Sequence, residues 1–431
     1  MTFMTRPGKP ELMAPAGNWT SLRAALQAGA DAVYFGVRGF NMRENSANFR
    51  ASELPRIART CQQAGARAYL ALNTIVYESE LPRLRRILAA AVAAGIDAVI
   101  AWDMAVIQAA TELGLPVFLS TQMSVANSAS LASFYQTFGI RRFVLARECT
   151  LAQIRAMRRN LRRRLGPAAE AIEIEVFAHG AMCVAISGRC FMSESTVGKS
   201  ANRGQCTQPC RRAYQITATD GDTSFRVGAN HVLSPQDLCT LPFLEQLLEA
   251  GVNSLKIEGR GRAPEYVSTV TGVYRRAVDY YFENRRRPDF KAGFQALKDR
   301  LLLELDGVFH RGLSSGFYMG QPLDQWTGVP NSQAATSKLH VGEVVNYYRK
   351  AGAVEIRVCD TEFSLGDELL IQGPTTGVVR VPVTSIQIEH QPVPRACRGQ
   401  AVAVSLANPV RAGDTVYRVT RRRGVSQVKG G

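Results

Sequence analysis

The sequence predicts an α/β protein: a closed (β/α)8 barrel of the TIM type with a Cys-rich insertion after its seventh strand, followed by a small all-β barrel. Three observations carry this prediction. Eight short apolar runs alternate with longer stretches of helical periodicity over the first two-thirds of the chain. The loop after the seventh run is far too long for an ordinary connector. From about residue 336, helical periodicity gives way to two-residue alternation.

The apolar runs are Glu11 to Gly17, Ala32 to Val37, Arg67 to Thr74, Ala98 to Asp103, Val117 to Gln122, Arg142 to Glu148, Ile172 to Gly180 and Ser254 to Arg260. Between them lie segments such as SLRAALQAGAD and LPRLRRILAAAVAAGID, whose apolar residues recur at three- and four-residue steps. Several of these helices end in glycine just before the next strand, at Gly29, Gly65, Gly95 and Gly251. Strands alternating with helices call for parallel crossovers, and eight of them favour closure into a barrel. A doubly wound open sheet is the competing architecture. Its phosphate-binding fingerprint is missing, since MAPAGN follows the first strand where G-x-G-x-x-G is expected. The tail then reads as strands VGEVVNYY, AVEIRV, DELLIQG, GVVRVPVTSIQIEH, QAVAVSL and DTVYRV, a small antiparallel barrel. The expected division is 1–335 for the (β/α)8 barrel, with its Cys-rich loop at about 180–233, then 336–420 for the β-barrel and 421–431 for a basic tail.

Composition bounds the function. Of 431 residues, 46% are hydrophobic, enough for sizeable cores. Lys and Arg number 52 against 36 acids, a formal charge of +16. Much of the excess is arginine, in runs at Arg155, Arg158, Arg159, Arg162, Arg163 and Arg164 and at Arg285, Arg286 and Arg287. Such surfaces attract polyanions such as RNA, and equally serve as solvated helix faces. No apolar run reaches the about 18 residues of a membrane span, and MTFMTRPGKPELMAPAG lacks a signal-peptide core, so a cytoplasmic protein with no membrane partner is expected.

The most informative motif is C-x6-C-x15-C-x3-C, formed by Cys183, Cys190, Cys206 and Cys210 among glycines and arginines. Four soft thiolates on a Gly-rich loop suit an iron–sulfur cluster or zinc. Structural zinc favours two close C-x2–4-C pairs, whereas the first interval here is six. Disulfides fit poorly in a cytoplasmic chain with nine cysteines. Cys239, in SPQDLCT, is a fifth candidate and an alternative to Cys210 as fourth ligand. Gly180, Gly188 and Gly204 are expected to let the backbone turn tightly around the sulfurs. The other cysteines, Cys61, Cys149, Cys359 and Cys397, read as ordinary thiols.

A (β/α)8 barrel builds its site at the C-terminal tips of its strands. Asn73, Asp103, Gln122, Arg147, His179, Glu258 and Arg260 fall there. Strand alternation places Lys256 and Glu258 on one face, and Glu173, Glu175, Phe177 and His179 on another. His179 and Glu258 are expected at the mouth, His179 as a proton carrier, while Glu173 is expected in a structural charge network within the barrel. Asn73 and Gln122 are further candidate catalytic side chains, and Lys256 a substrate-binding one. Arg147 and Arg260 suit bidentate hydrogen bonds to a small carboxylated ligand.

The stretch EVFAHGAMCVAISGRCFMS, Glu175 to Ser193, resembles the signature of the collagenase-like peptidases of unknown catalytic type, family thirty-two. Glu175, Phe177, Gly180, Cys183, Gly188, Cys190 and Ser193 occupy its fixed positions. LMAPAGNWTSLRAALQAGADAVYFG, SANRGQCTQPCRRAY and SLKIEGRGRAPEYVSTVTGVYRRAVD extend the resemblance over most of residues 11–330. The resemblance implies a [4Fe–4S] cluster on Cys183, Cys190, Cys206 and Cys210, with Cys239 where some ubiquinone-pathway members carry their fourth ligand. It also implies hydroxylation of a pyrimidine in RNA, in ribosomal RNA or at the tRNA wobble uridine, with prephenate or a relative as oxygen donor. SANRGQCTQPCR is closer in wording to the ribosomal RNA cytidine hydroxylases. The C-terminal barrel is similar to the second-domain barrel of translation elongation factors.

Three other functions compete. A peptidase would need a thiol–imidazole pair, for which His179 and Cys183 are the candidates, or the zinc motif H-E-x-x-H, which is missing from the sequence. Oxygen-independent ubiquinone hydroxylation sits poorly with the charge and the added β-barrel. A non-enzymatic RNA-binding role would leave the polar strand tips without a purpose.

Overall fold

The computed structural model describes residues 8–212, 233–322, 325–327 and 331–422. Most of the expected basic tail (423–431) and part of the Cys-rich insertion (213–232) lie outside the described residues.

Strands β1 (Glu11–Ala16), β2 (Ala32–Gly36), β3 (Arg67–Ala71), β4 (Ala98–Ala101), β5 (Val117–Leu119), β6 (Arg142–Val144) and β7 (Glu173–Gly180) pair in order, each parallel to the next. A short strand β8 (Asp237–Cys239) follows the insertion, and β9 (Ser254–Ile257) then pairs in parallel with both β7 and β1. That double pairing closes an eight-stranded barrel and rules out the open sheet. All eight expected runs are strands. Seven run past the observed ends, five of them by two or more residues, because the tip residues have left the ladder to turn into the loops above it. The extra strand β8 is antiparallel to the end of β7, with His179 opposite Cys239, and carries β10 (Leu313–Ser314) on its other edge.

The strands are buried on both sides, which explains why they read as unbroken apolar runs. Outside the barrel, helices supply one apolar stripe each. In the helix Leu81–Ala93, Leu84, Ile87, Leu88 and Ala91 face inward at helical spacing. Inside it, Met13, Tyr34, Tyr69, Ile100 and Phe118 form a middle layer. Below them lies the expected charge network. Arg142 is bound by Glu11 and, at 2.6 Å, by Glu173, with Glu175 3.9 Å away; Glu175 reaches up to Lys256 at 2.9 Å.

The arginine runs stand away from the mouth. The first lies on the helix Leu151–Leu165, which starts at the mouth and descends the barrel wall, where Arg158 donates to the carbonyls of Gly251 and Ile172 near the floor. The second follows the helix Pro264–Asn284 at its floor end.

The C-terminal sheet contains β11 (Thr336–Tyr348), β12 (Ala353–Val358), β14 (Glu368–Gly373), β15 (Gly377–Pro382), β16 (Ile386–Ile388), β17 (Gln391–Pro392), β19 (Ala401–Ser405) and β20 (Thr415–Arg421). The short pair β13 (Phe363–Ser364) and β18 (Arg395–Ala396) stands apart. The sheet order is β15-β14-β20-β11-β12-β19-β16-β17, curled about a core of its own that includes Val341, Ile356, Phe363 and Val404. It is a half-barrel: among the described residues its edge strands β15 and β17 do not pair. Gln27 donates to the Thr376 carbonyl at 2.7 Å, and Lys338 and Gln372 both hold Glu265 at 2.8 Å, fixing the sheet to the barrel wall.

Candidate active site

The cysteine loop leaves β7 and folds over the barrel mouth. Gly180 makes the departure: at φ +115° it takes a conformation open to glycine, and a Cβ there would meet the Glu258 carbonyl at 2.5 Å. Gly204, at φ +81°, lets the returning strand of the loop approach the backbone of Asn41, where a Cβ would lie 2.0 Å from its carbonyl oxygen. Three anchors hold the loop. Glu148 accepts from the Ser187 amide at 2.9 Å, Arg203 is bound by Glu80, and Arg211 donates to Ser234 and the Pro235 carbonyl at 2.8 and 2.6 Å.

This arrangement brings Cys183, Cys190, Cys206 and Cys210 to the wall of one cavity of about 100 Å³ over the barrel axis. Three of the sulfurs each accept an amide hydrogen bond from the residue two positions on: Ala185 to Cys183 at 3.5 Å, Met192 to Cys190 at 3.3 Å and Gln208 to Cys206 at 3.4 Å. Such amides stabilise thiolate charge and are part of how proteins tune cluster sulfurs. Burial pushes the Cys210 thiol up to about 11; Arg211 opposes this, and the neighbouring Cys183, Cys206 and Cys190 add to it. Among the described residues, no three His, Cys, Asp or Glu side chains are grouped to hold a single metal ion. Zinc draws its four sulfurs to about 2.3 Å of one point. Four thiols on the wall of one cavity are a donor set of the kind an iron–sulfur cluster would use.

The same cavity is lined from the barrel side by Asn73, Gln122, Arg147, Lys256, Glu258 and Arg260, so ten of the candidate residues meet there. Asn73 donates to Gln122 at 3.3 Å and accepts from the Met42 amide at 3.2 Å. Arg147 donates to the Ala181 carbonyl at 2.9 Å and lies 4.1 Å over the Phe177 ring, while its buried Nε has no partner among the described residues. Arg260 donates to Asn41 at 3.1 Å, and burial lowers its guanidinium to about 10. Burial would raise the Glu258 carboxyl, but Arg43, Arg147 and Arg262 outweigh it and hold it at about 2. Asp103 is a helix cap, accepting from Ala105 and Val76 at 2.9 Å each.

Two expectations fail. His179 does not share the face of Glu175 and Phe177. The register between β7 and β9 shifts after Phe177, a bulge at Ala178 that turns His179 outward against Tyr266 and Tyr274 of the helix Pro264–Asn284. Buried there, its imidazole is held neutral, down to about 3. Cys239 does not join the other thiols either. It is buried in β8, 3.9 Å from the Tyr274 hydroxyl, and burial pushes its thiol up to about 11.

Sequence reasoning missed Tyr34 and Arg43. Tyr34 lies mid-strand in β2, its hydroxyl donating to the Ile257 carbonyl at 3.0 Å and its ring 4.5 Å beneath the Lys256 ammonium. Arg43 comes from the loop after β2 and binds Glu258 at 2.7 Å. The available signals were the even spacing of Tyr34 from the strand tip and the length of that loop.

The model of Peptidase family U32 matches residues 17–328. A protein named collagenase from Porphyromonas gingivalis is 39% identical over 415 residues, covering 96% of this chain and 98% of its own. The tRNA hydroxylation protein P1 of Bacillus subtilis is 33% identical over 372 residues, 85% of this chain and 84% of its own. A 23S rRNA 5-hydroxycytidine synthase of Escherichia coli is 35% identical over 312 residues, 71% of this chain and 45% of its own.

Proposed function

The chain belongs to Peptidase family U32, and on that premise we propose that it hydroxylates a pyrimidine base of RNA at the thiol-lined barrel mouth. One observation carries this reading. The four cysteines and six polar residues of the barrel strands and their tips line a single cavity, so a redox centre held by the thiols would share one chamber with a recognition site. Relatives named for tRNA and ribosomal RNA hydroxylation support the reaction class.

Cys183, Cys190, Cys206 and Cys210 would hold a [4Fe–4S] cluster, whose iron would supply the redox chemistry of oxygen transfer. The rest falls to the chain's own side chains. A base must leave its stack to enter the mouth, as it does from a loop or by flipping. The Asn73 and Gln122 amides can read its hydrogen-bonding edge, with Phe177 and Tyr34 as apolar walls. Arg147 and Arg260 would bind a carboxylated oxygen donor, proposed as prephenate, and Lys256 adds a third cation. Glu258, ionised at any working pH, is too acidic to be an efficient base and instead holds Arg43 in place. The wording around Cys206 and Cys210 favours cytidine in ribosomal RNA over the tRNA wobble uridine. The half-barrel from about residue 336 would add RNA contacts on the barrel wall.

The collagenase-named relatives raise the peptidase reading. Among the described residues no histidine lines the cavity, so Cys183 has no imidazole partner there.

The test is anaerobic purification with assay of iron, sulfide and the visible spectrum, for the native chain and Cys183→Ala, alongside mass spectrometry of ribosomal and transfer RNA. About four irons and four sulfides per chain, lost in the variant, are expected, with one added oxygen on a pyrimidine that also depends on Cys183. Zinc, or no metal with gelatin cleavage instead, would overturn the proposal.

A further inference from the structure

The cysteine loop carries an apolar surface that the cavity does not use. Cys190 and Met192 both line the chamber, whereas Phe191 between them points to solvent and is 72% exposed. Ile186 on the same loop is also exposed. Across the rim stands Tyr77, 55% exposed, with the Arg203 guanidinium 4.8 Å over its ring. The rim is continuous: the Cys190 amide donates to Asn202 at 3.1 Å, and Arg203 follows directly.

A single exposed apolar residue needs no explanation, but a cluster does. Here the exposed residues crown the mouth of a site beside the exposed cations Arg189 and Lys199, while Arg203 is held by Glu80 against Tyr77. Aromatic faces beside basic side chains are how proteins hold unpaired nucleic-acid strands: bases stack on the rings and phosphates meet the cations. A protein partner of the usual kind would favour an apolar centre with charges kept to the periphery.

We propose that Phe191 is a stacking platform for a nucleobase next to the target, with the Tyr77–Arg203 pair as a second one. The inference rests on the RNA reading of the site. It makes Phe191 a positioning residue that sets which single-stranded context is accepted and takes no part in the chemistry.

The experiment compares native protein with Phe191→Ala and Phe191→Trp in the holo state. The probes are an RNA hairpin containing the modified pyrimidine and the same hairpin abasic at each neighbouring position. Phe191→Ala should weaken hairpin binding and raise KM by about five- to hundredfold, with kcat at saturation and iron content close to native. Phe191→Trp should restore binding. One abasic position should weaken the native protein but not Phe191→Ala, the non-additivity that identifies stacked partners. Unchanged KM in Phe191→Ala, in a native protein that modifies RNA, would overturn this inference and leave the function standing. Loss of iron in Phe191→Ala that Phe191→Trp does not rescue would reveal a structural role and overturn it too. A native dimer that dissociates in Phe191→Ala with RNA binding unchanged would assign the rim to a second copy. If the native protein neither binds nor modifies RNA, both proposals fall.

Discussion

The floor and the mouth of the barrel are built by the same strands and carry opposite charge balances. At the floor Arg142 faces three carboxylates, Glu11, Glu173 and Glu175. At the mouth Arg43, Arg147, Lys256 and Arg260 line a cavity with Glu258 as the one carboxylate among its described lining residues. The guanidinia register the difference. Burial works against both, but at the floor Glu11, Tyr69, Glu173 and Glu175 outweigh it and hold Arg142 well above the usual arginine range. At the mouth Glu258 likewise holds Arg43 above the usual range, but at Arg260 burial prevails and the guanidinium falls to about 10. The floor pairs its cation with carboxylates of the same layer, so that removing either partner is costly. The mouth leaves cationic donors short of partners, which is what an anionic ligand would complete.

The largest effect should come from Arg142→Met. Removing the cation strands Glu11 and Glu173, while Glu175 keeps Lys256, and breaking a buried pair from one side costs about 3–5 kcal/mol. Urea unfolding of the apo-protein would show it as a large drop in midpoint, or as failure to accumulate folded protein. A loss under about 1 kcal/mol would mean that water already reaches the floor and the comparison is mistaken.

The next effect concerns His179, on a strand that serves both layers but facing neither. Its imidazole lies against Tyr266 and Tyr274, with His310 and Arg262 as the charged neighbours that add to burial in lowering it. The folded chain keeps it neutral to about 3, whereas the unfolded chain takes a proton near 6.5. Above that value the group is neutral in both states and contributes no pH dependence. As pH falls from 6.5 towards 3, the unfolded state binds the extra proton and stability is lost. His179→Asn should remove that slope, gaining on the native protein by about 2–3 kcal/mol between pH 7 and pH 4.5. Parallel pH profiles for the two proteins would return His179 to an accessible, mouth-facing position.

That misplaced histidine shows where the sequence stopped being legible. Parallel strands buried on both faces announce themselves as apolar runs, so all eight barrel strands were readable, as was the alternating C-terminal sheet. Strands β8 and β10, three and two residues long, carry no period to detect. The bulge at Ala178 leaves no mark in EVFAHG, yet it reverses the face of His179 and breaks a strict alternation argument. Cys239 looked equivalent to Cys210 because spacing alone does not reveal depth. Arg43 was hidden because a loop residue reaches the mouth through turns that no periodicity encodes. The arginine runs lie away from the site, since helices of a barrel carry their C-terminal ends away from the mouth.

The smallest stability effect should come from Arg260→Met, the same substitution as at Arg142 but at the mouth. The variant loses the 3.1 Å bond to Asn41, worth about 1 kcal/mol for a typical hydrogen bond. It also sheds the cost of burying a poorly compensated charge, and it keeps the length of the side chain between Tyr34 and Gly36. The two nearly cancel, so unfolding should shift by less than about 1 kcal/mol in either direction. Function should move the other way: the concentration of oxygen donor needed for half-maximal RNA modification should rise about tenfold or more, the scale of a lost charge-assisted pair. Equal destabilisation by Arg142→Met and Arg260→Met would erase the distinction between the layers. A stable Arg260→Met protein with unchanged donor dependence would keep the distinction and move the donor elsewhere, with Arg147, whose Nε is buried without a partner among the described residues, as the next guanidinium to test.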